Sequence, residues 1–125
     1  MNIQECYEAF GGDYQEALTR LVNMESMVIK YAKKFLNDTT FAALVEAMAA
    51  NNIDEIFRAS HTLKGVCLNL SFTELGSAAV TLTDMVRKDA SGNLPDGTTD
   101  ETVAAAFADV KAQYERVIGA LRQLD

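Results

Sequence analysis

One histidine, His61, occurs in the 125 residues, within the run Ala59-Ser60-His61-Thr62-Leu63-Lys64-Gly65. Imidazole is a nucleophile and proton carrier at neutral pH, and the surrounding pattern holds it away from an apolar surface. At about 100° per residue around a helix, Ile56, Ala59, Leu63, Val66, Cys67 and Leu70 fall on one broad face. His61 points the opposite way, in the company of Asp54, Phe57, Arg58, Lys64, Gly65 and Leu68. A structural histidine belongs on the buried side with hydrogen-bond partners. The spacing therefore predicts a histidine presented to solvent for chemistry with another molecule. Arg58 and Lys64 flank it and make a locally basic spot suited to an anionic target; the alternative is that both are ordinary solvated helix positions.

The elements that must position this histidine read as helices throughout. β-branched alternating runs are scarce and Pro95 is the single proline, which favours an all-α chain. A short helix is predicted over Ile3 to Phe10, ending at Gly11-Gly12. Asp13 then serves as N-cap for a second short helix, Tyr14 to Val22. A longer helix covers Met24 to Leu36, with Met24, Met27, Val28, Tyr31, Phe35 and Leu36 at core spacing. Asn37-Asp38-Thr39 breaks it before a helix over Phe41 to Ala50. Asn51-Asn52 caps the helix that carries His61, which runs to Leu70. Past Ser71 another helix spans Thr73 to Lys88, with Leu75, Ala78, Ala79, Leu82, Met85 and Val86 inward. Asp89 to Thr99 has loop chemistry in Ser91-Gly92-Asn93 and Pro95-Asp96-Gly97. The last helix, Asp100 to Leu124, repeats Val103, Phe107, Val110, Tyr114, Val117, Ile118 and Leu121 every three or four residues. The expected architecture is an antiparallel four-helix bundle preceded by short N-terminal helices, in one domain over residues 1–125.

Composition removes several classes of function. A net charge of −7 opposes general nucleic-acid binding, which draws its affinity from phosphate neutralisation. No apolar run approaches the ~18 residues that span a bilayer, and Met1 is not followed by a basic-then-apolar leader; membrane insertion is not expected and the cytoplasm is the expected compartment. Cys6 and Cys67 are far apart, and with a single histidine they make no zinc set. Cys67 falls on the core face, where a small buried thiol is expected. There is no Walker-type phosphate loop, no separate nucleotide-binding region and no acidic cluster to hold Mg²⁺.

The run His61-Thr62-Leu63-Lys64-Gly65 resembles the signature of histidine-containing phosphotransfer (HPt) domains. The resemblance extends to Gly12-Asp13 followed by Arg20, to Tyr31 and Phe35, to the approach from Asn51 to Phe57, and to the helix after the signature. It implies that Nε2 of His61 takes a phosphoryl group from an aspartyl phosphate on a receiver domain and passes it to the aspartate of a second receiver. Free imidazole, with a pKa of roughly 6.5, is largely neutral at cytoplasmic pH and needs no tuning to attack. Phosphoryl transfer passes through a loose transition state with charge on the equatorial oxygens, so positioning and cations matter most. Lys64, one turn on, would place its ammonium near those oxygens; an ordinary surface lysine is the other reading. Gly65 costs roughly 1 kcal/mol against alanine in mid-helix, and room for the incoming group would account for it. Close packing against a neighbouring helix is the rival account.

Phe57 and Leu68 straddle His61 and, with Arg58, form the expected partner surface. Phe57 reads equally as a flank position covered by an adjoining helix. Two positions depart from the family pattern. Ser71 stands where many members have glycine after the signature helix. Thr83 stands where some members hold a glutamine near the phosphoryl group, with Arg87 one turn on as a substitute source of polar assistance. The resemblance implies a phosphocarrier without its own ATP-dependent kinase activity and without a cofactor of its own, Mg²⁺ being carried by the partner. Response-regulator receiver domains are the expected partners, with a hybrid sensor histidine kinase as a further candidate, and the carrier is expected to be a monomer. The competing function class is a helical interaction module that binds a receiver or other protein without accepting phosphate.

Overall fold

A computed structural model describes residues 1–125 as seven α-helices and no strands: α1 (Ile3–Phe10), α2 (Tyr14–Arg20), α3 (Glu25–Phe35), α4 (Thr40–Ala49), α5 (Ile53–Leu70), α6 (Thr73–Met85) and α7 (Asp100–Leu121). Helices α4 to α7 form the antiparallel bundle, each packed on the next along the chain, and α1 lies against α7. The ring closes where Phe41 of α4 stacks on Tyr114 of α7 at a centroid distance of 4.0 Å.

The caps are those the residue types dictate. Asn2 and Glu5 close a capping box on α1, and Gly11 ends that helix in the left-handed conformation. Asp13 accepts from the Glu16 N–H at the start of α2. Asn52 accepts from the Glu55 N–H at the start of α5, the helix that carries His61. Thr99 and Thr102 box the start of α7. The loop between α6 and α7 is pinned by Asp89, whose carboxylate accepts from the Ser91 and Asn93 amides.

The core runs through all seven helices and centres on aromatic rings. Phe72, in the two-residue turn between α5 and α6, is buried among Tyr7, Phe10 and Phe35, with ring centroids 5.5, 4.9 and 5.1 Å away. The turn itself is clamped from the N-terminal side. The Tyr7 hydroxyl donates to the Leu70 carbonyl at 2.7 Å, the Asp13 N–H donates to the Ser71 carbonyl at 2.9 Å, and the Ser71 hydroxyl donates to Glu16 at 2.8 Å. Short helices α1 and α2 thus hold the C-terminal end of α5 in place, satisfying carbonyls the helix leaves open.

Several expectations are corrected. Helix α2 ends at Arg20 because Val22 and Asn23 both take positive φ. Met24 was expected in the core and is exposed; Ala32 takes the inward place on α3. Helix α6 stops at Met85, so Arg87 and Lys88 follow the helix, where they had been assigned to its last turn. Ser60, Gly76 and Thr83 are buried although their residue types gave no such signal. No helix is long and apolar enough to cross a membrane.

Candidate functional site

The phase of α5 is as the apolar spacing requires. Ile56, Ala59, Leu63 and Cys67 are buried, Val66 and Leu70 are half-buried, and His61 is exposed. Burial pushes the Cys67 thiol up to about 12, so it is a neutral packing group on the side of the helix turned away from the imidazole.

Around His61 the helix presents four kinds of neighbour. Phe57, one turn back, lays its ring almost parallel to the imidazole, 14° apart with centroids separated by 5.7 Å. Arg58 is exposed and pairs with Glu55 at 2.7 Å. Lys64, one turn on, is half-buried and belongs to none of the ion pairs. At Gly65 an added Cβ would meet nothing within 4 Å, so close packing does not explain this glycine and the face beside the imidazole is open. Leu68, two turns on, keeps 48% of its surface exposed.

The segment after α6 completes the site from the other side. Counting outward both ways from the Ser71-Phe72 turn brings Arg87 within one residue of level with Phe57, and Lys88 within one residue of level with Asp54. Both meetings occur. The Arg87 guanidinium carbon lies 5.1 Å from the Phe57 ring centroid, and Lys88 Nζ lies 2.9 Å from Asp54. His61, Phe57, Arg58, Thr62, Arg87 and Lys88 line an open hollow of about 550 Å³ between α5 and this segment. Arg58, Arg87 and Lys88 give it a cationic rim, each shared with a carboxylate from Glu55, Asp84 or Asp54. Asp54 was placed on the His61 face by the helical spacing but given no role, and Lys88 was not singled out; the antiparallel register about the turn was the available signal for their pairing.

Thr83 does not belong to this surface. It is fully buried and its hydroxyl donates to the Ala79 carbonyl at 2.7 Å, one turn back in its own helix. Its polar atom is satisfied by the backbone, so it cannot touch a partner or a group on His61. Phe57 is half-buried against the core, which makes it a flank residue covered by Arg87 and only partly a surface for docking. Cations and an open imidazole are what this site has to offer; no group of three or more His, Cys, Asp or Glu residues could hold a metal ion.

The sequence model of the Hpt domain matches residues 36–123, most of the chain and all of the four-helix bundle. The chain belongs to the Hpt domain family. No curated protein and no solved structure matches it. Hpt domains serve histidine phosphotransfer in phosphorelays, as phosphocarriers and not as kinases. The match begins at residue 36, so Gly12, Asp13, Arg20, Tyr31 and Phe35 lie N-terminal to it. Of these, Asp13 is part of the clamp, Arg20 pairs with its Glu16 at 3.4 Å, Phe35 packs on Phe72, and Gly12 is packed so closely against Tyr7 and Phe10 that an added Cβ would lie 2.6 and 2.7 Å from their rings.

Proposed function

We propose that His61 is the phosphoryl carrier of this Hpt domain, taking the group from an aspartyl phosphate of one receiver domain and giving it to an aspartate of another. The observation that carries the reading is that the chain's single histidine stands exposed on α5, inside the family-matched span, at the mouth of a cation-rimmed hollow. In the transfer the lone pair of a neutral imidazole Nε2 forms the N–P bond as the P–O bond to the aspartyl carboxylate breaks. The carboxylate leaves as an anion, and the imidazole retains its Nδ1 proton. The reverse sequence loads the second receiver.

Each neighbour has a task in this scheme. The ammonium of Lys64, tied to no carboxylate, supplies positive charge to the equatorial oxygens where negative charge accumulates. The missing side chain at Gly65 leaves room for the receiver's loops, and Leu68, two turns from His61 on the same helix, gives an apolar contact for docking. Receiver domains are the partners, and the Mg²⁺ that assists the chemistry is theirs. The protein works as a monomer in the cytoplasm. The test is incubation with phosphorylated receivers, followed by analysis of the linkage. Phosphohistidine is labile in acid and stable in alkali, whereas an acyl phosphate is labile in both. An acid-labile, alkali-stable phosphate on this chain is the expected result; binding of the receiver without any transferred phosphate would leave only an interaction module.

A further inference from the structure

Phe57 is the side chain that connects the imidazole to the segment after α6. Its ring is nearly parallel to that of His61, at 5.7 Å and 14°, and the same ring carries the Arg87 guanidinium at 5.1 Å. The ring is partly buried against the core, so it is a firmer wall than a wholly exposed side chain would be. Arg87 is placed in turn from two sides. Asp84, in the last turn of α6, reaches it at 3.7 Å, and its neighbour Lys88 is bonded to Asp54 in the first turn of α5. The strand of chain leaving α6 is therefore tethered to the very helix that presents His61.

An imidazole on a helix surface otherwise distributes among staggered χ1 wells. A flat ring alongside it narrows that choice, and a guanidinium over the flat ring holds the wall still. From this geometry we infer that Arg87 and Phe57 are positioning residues: Arg87 fixes the Phe57 ring, and the ring fixes the plane of the His61 imidazole at the mouth of the hollow. Arg87 then acts through Phe57, without needing to touch the transferred group. The kinetic consequence rests on the function proposed above; the structural consequence does not.

The two parts are tested by different readouts on Arg87→Met, which keeps an unbranched stem over the ring and removes the charge, with Arg87→Lys as the conservative variant. By NMR of the whole chain, the His61 Hδ2 and Hε1 resonances should lose ring-current shift in Arg87→Met, and the His61 χ1 couplings should move toward rotamer averaging. In transfer from a phosphorylated receiver, the rate at saturating receiver should fall about threefold, the factor expected if three wells are populated where one was selected. The half-saturating receiver concentration and the melting temperature should stay as in the wild type, and Arg87→Lys should recover part of the rate. Unchanged imidazole shifts and couplings in Arg87→Met would overturn the inference. So would an unchanged saturating rate with a raised half-saturating concentration, which would make Arg87 a docking contact. Should the wild type accept no phosphoryl group at all, the function proposed above fails, and the NMR measurement still decides whether Arg87 positions His61.

Discussion

Around His61 the decisive distinction is between side chains that work on a partner and side chains that hold the fold. In the proposed transfer Lys64 is on the first side: half-buried and unpaired with any carboxylate, it owes little to the native state. Lys64→Ala should slow transfer from a phosphorylated receiver by roughly ten- to a hundredfold. Its thermal melt should shift by no more than about 0.5 kcal/mol of stability, as for other surface positions. Unchanged kinetics would reduce Lys64 to a bystander. Leu68 is a mixed case. Nearly half its surface is exposed, yet its Cδ2 lies 3.8 Å from where a Cβ on Gly76 would stand. Leu68→Ala should cost about 1 kcal/mol or less, well short of the roughly 2–5 kcal/mol of a core leucine, while receiver binding weakens in a titration. A core-sized loss in the melt would place Leu68 with the packing and not with the partner.

At the scale of the element, two glycines on facing helices separate open space from close approach. Gly65 has no neighbour for an added Cβ, so Gly65→Ala should raise stability by roughly 1 kcal/mol. Gly76 sits on α6 where that helix presses on α5, and an added Cβ would lie 3.3 Å from the Cys67 Cβ. A Cβ cannot rotate away, and Cys67 is fully buried, so Gly76→Ala should lower the melting temperature by forcing the helices apart. Opposite signs in two denaturation curves are the expected outcome; equal signs would mean that the packing at one of these positions has been misread. Ser71 shows how a departure from the family pattern is accommodated. It ends α5 with φ of 58°, a conformation that favours glycine, and its buried hydroxyl bonds Glu16 of α2. Ser71→Ala keeps the strain and loses that bond, and should destabilise the fold by about 1 kcal/mol in urea unfolding. Much of this element was legible beforehand. The apolar spacing fixed which side of α5 carries His61, and Asn52, Asp13 and Gly11 marked helix ends that the fold respects. Thr83 was not legible: a threonine whose hydroxyl bonds its own helix backbone can be buried at little cost, so its polar type gave no warning. The two readings of Phe57 were likewise settled only by register, once Arg87 was found opposite it.

Taken as a whole, the molecule is an acidic bundle with net charge −7 whose His61 face gathers four of its eleven cations, Arg58, Arg87 and Lys88, each paired with a carboxylate, and the unpaired Lys64. Helices α1 and α2 clamp the turn at one end of α5, and the Lys88–Asp54 pair ties the other. Between these two anchors His61 projects from a rigid helix, and the scaffold offers no metal cluster in its place. All of this bears on one claim, that His61 carries the phosphoryl group. The most direct measurement compares the wild type with His61→Gln after incubation with a radiolabelled phosphorylated receiver, each checked by thermal melt. The wild type should acquire acid-labile, alkali-stable label, and His61→Gln should acquire none while melting as the wild type does, because an exposed side chain contributes little to the core. Acid-labile label on His61→Gln at the wild-type level would contradict the account.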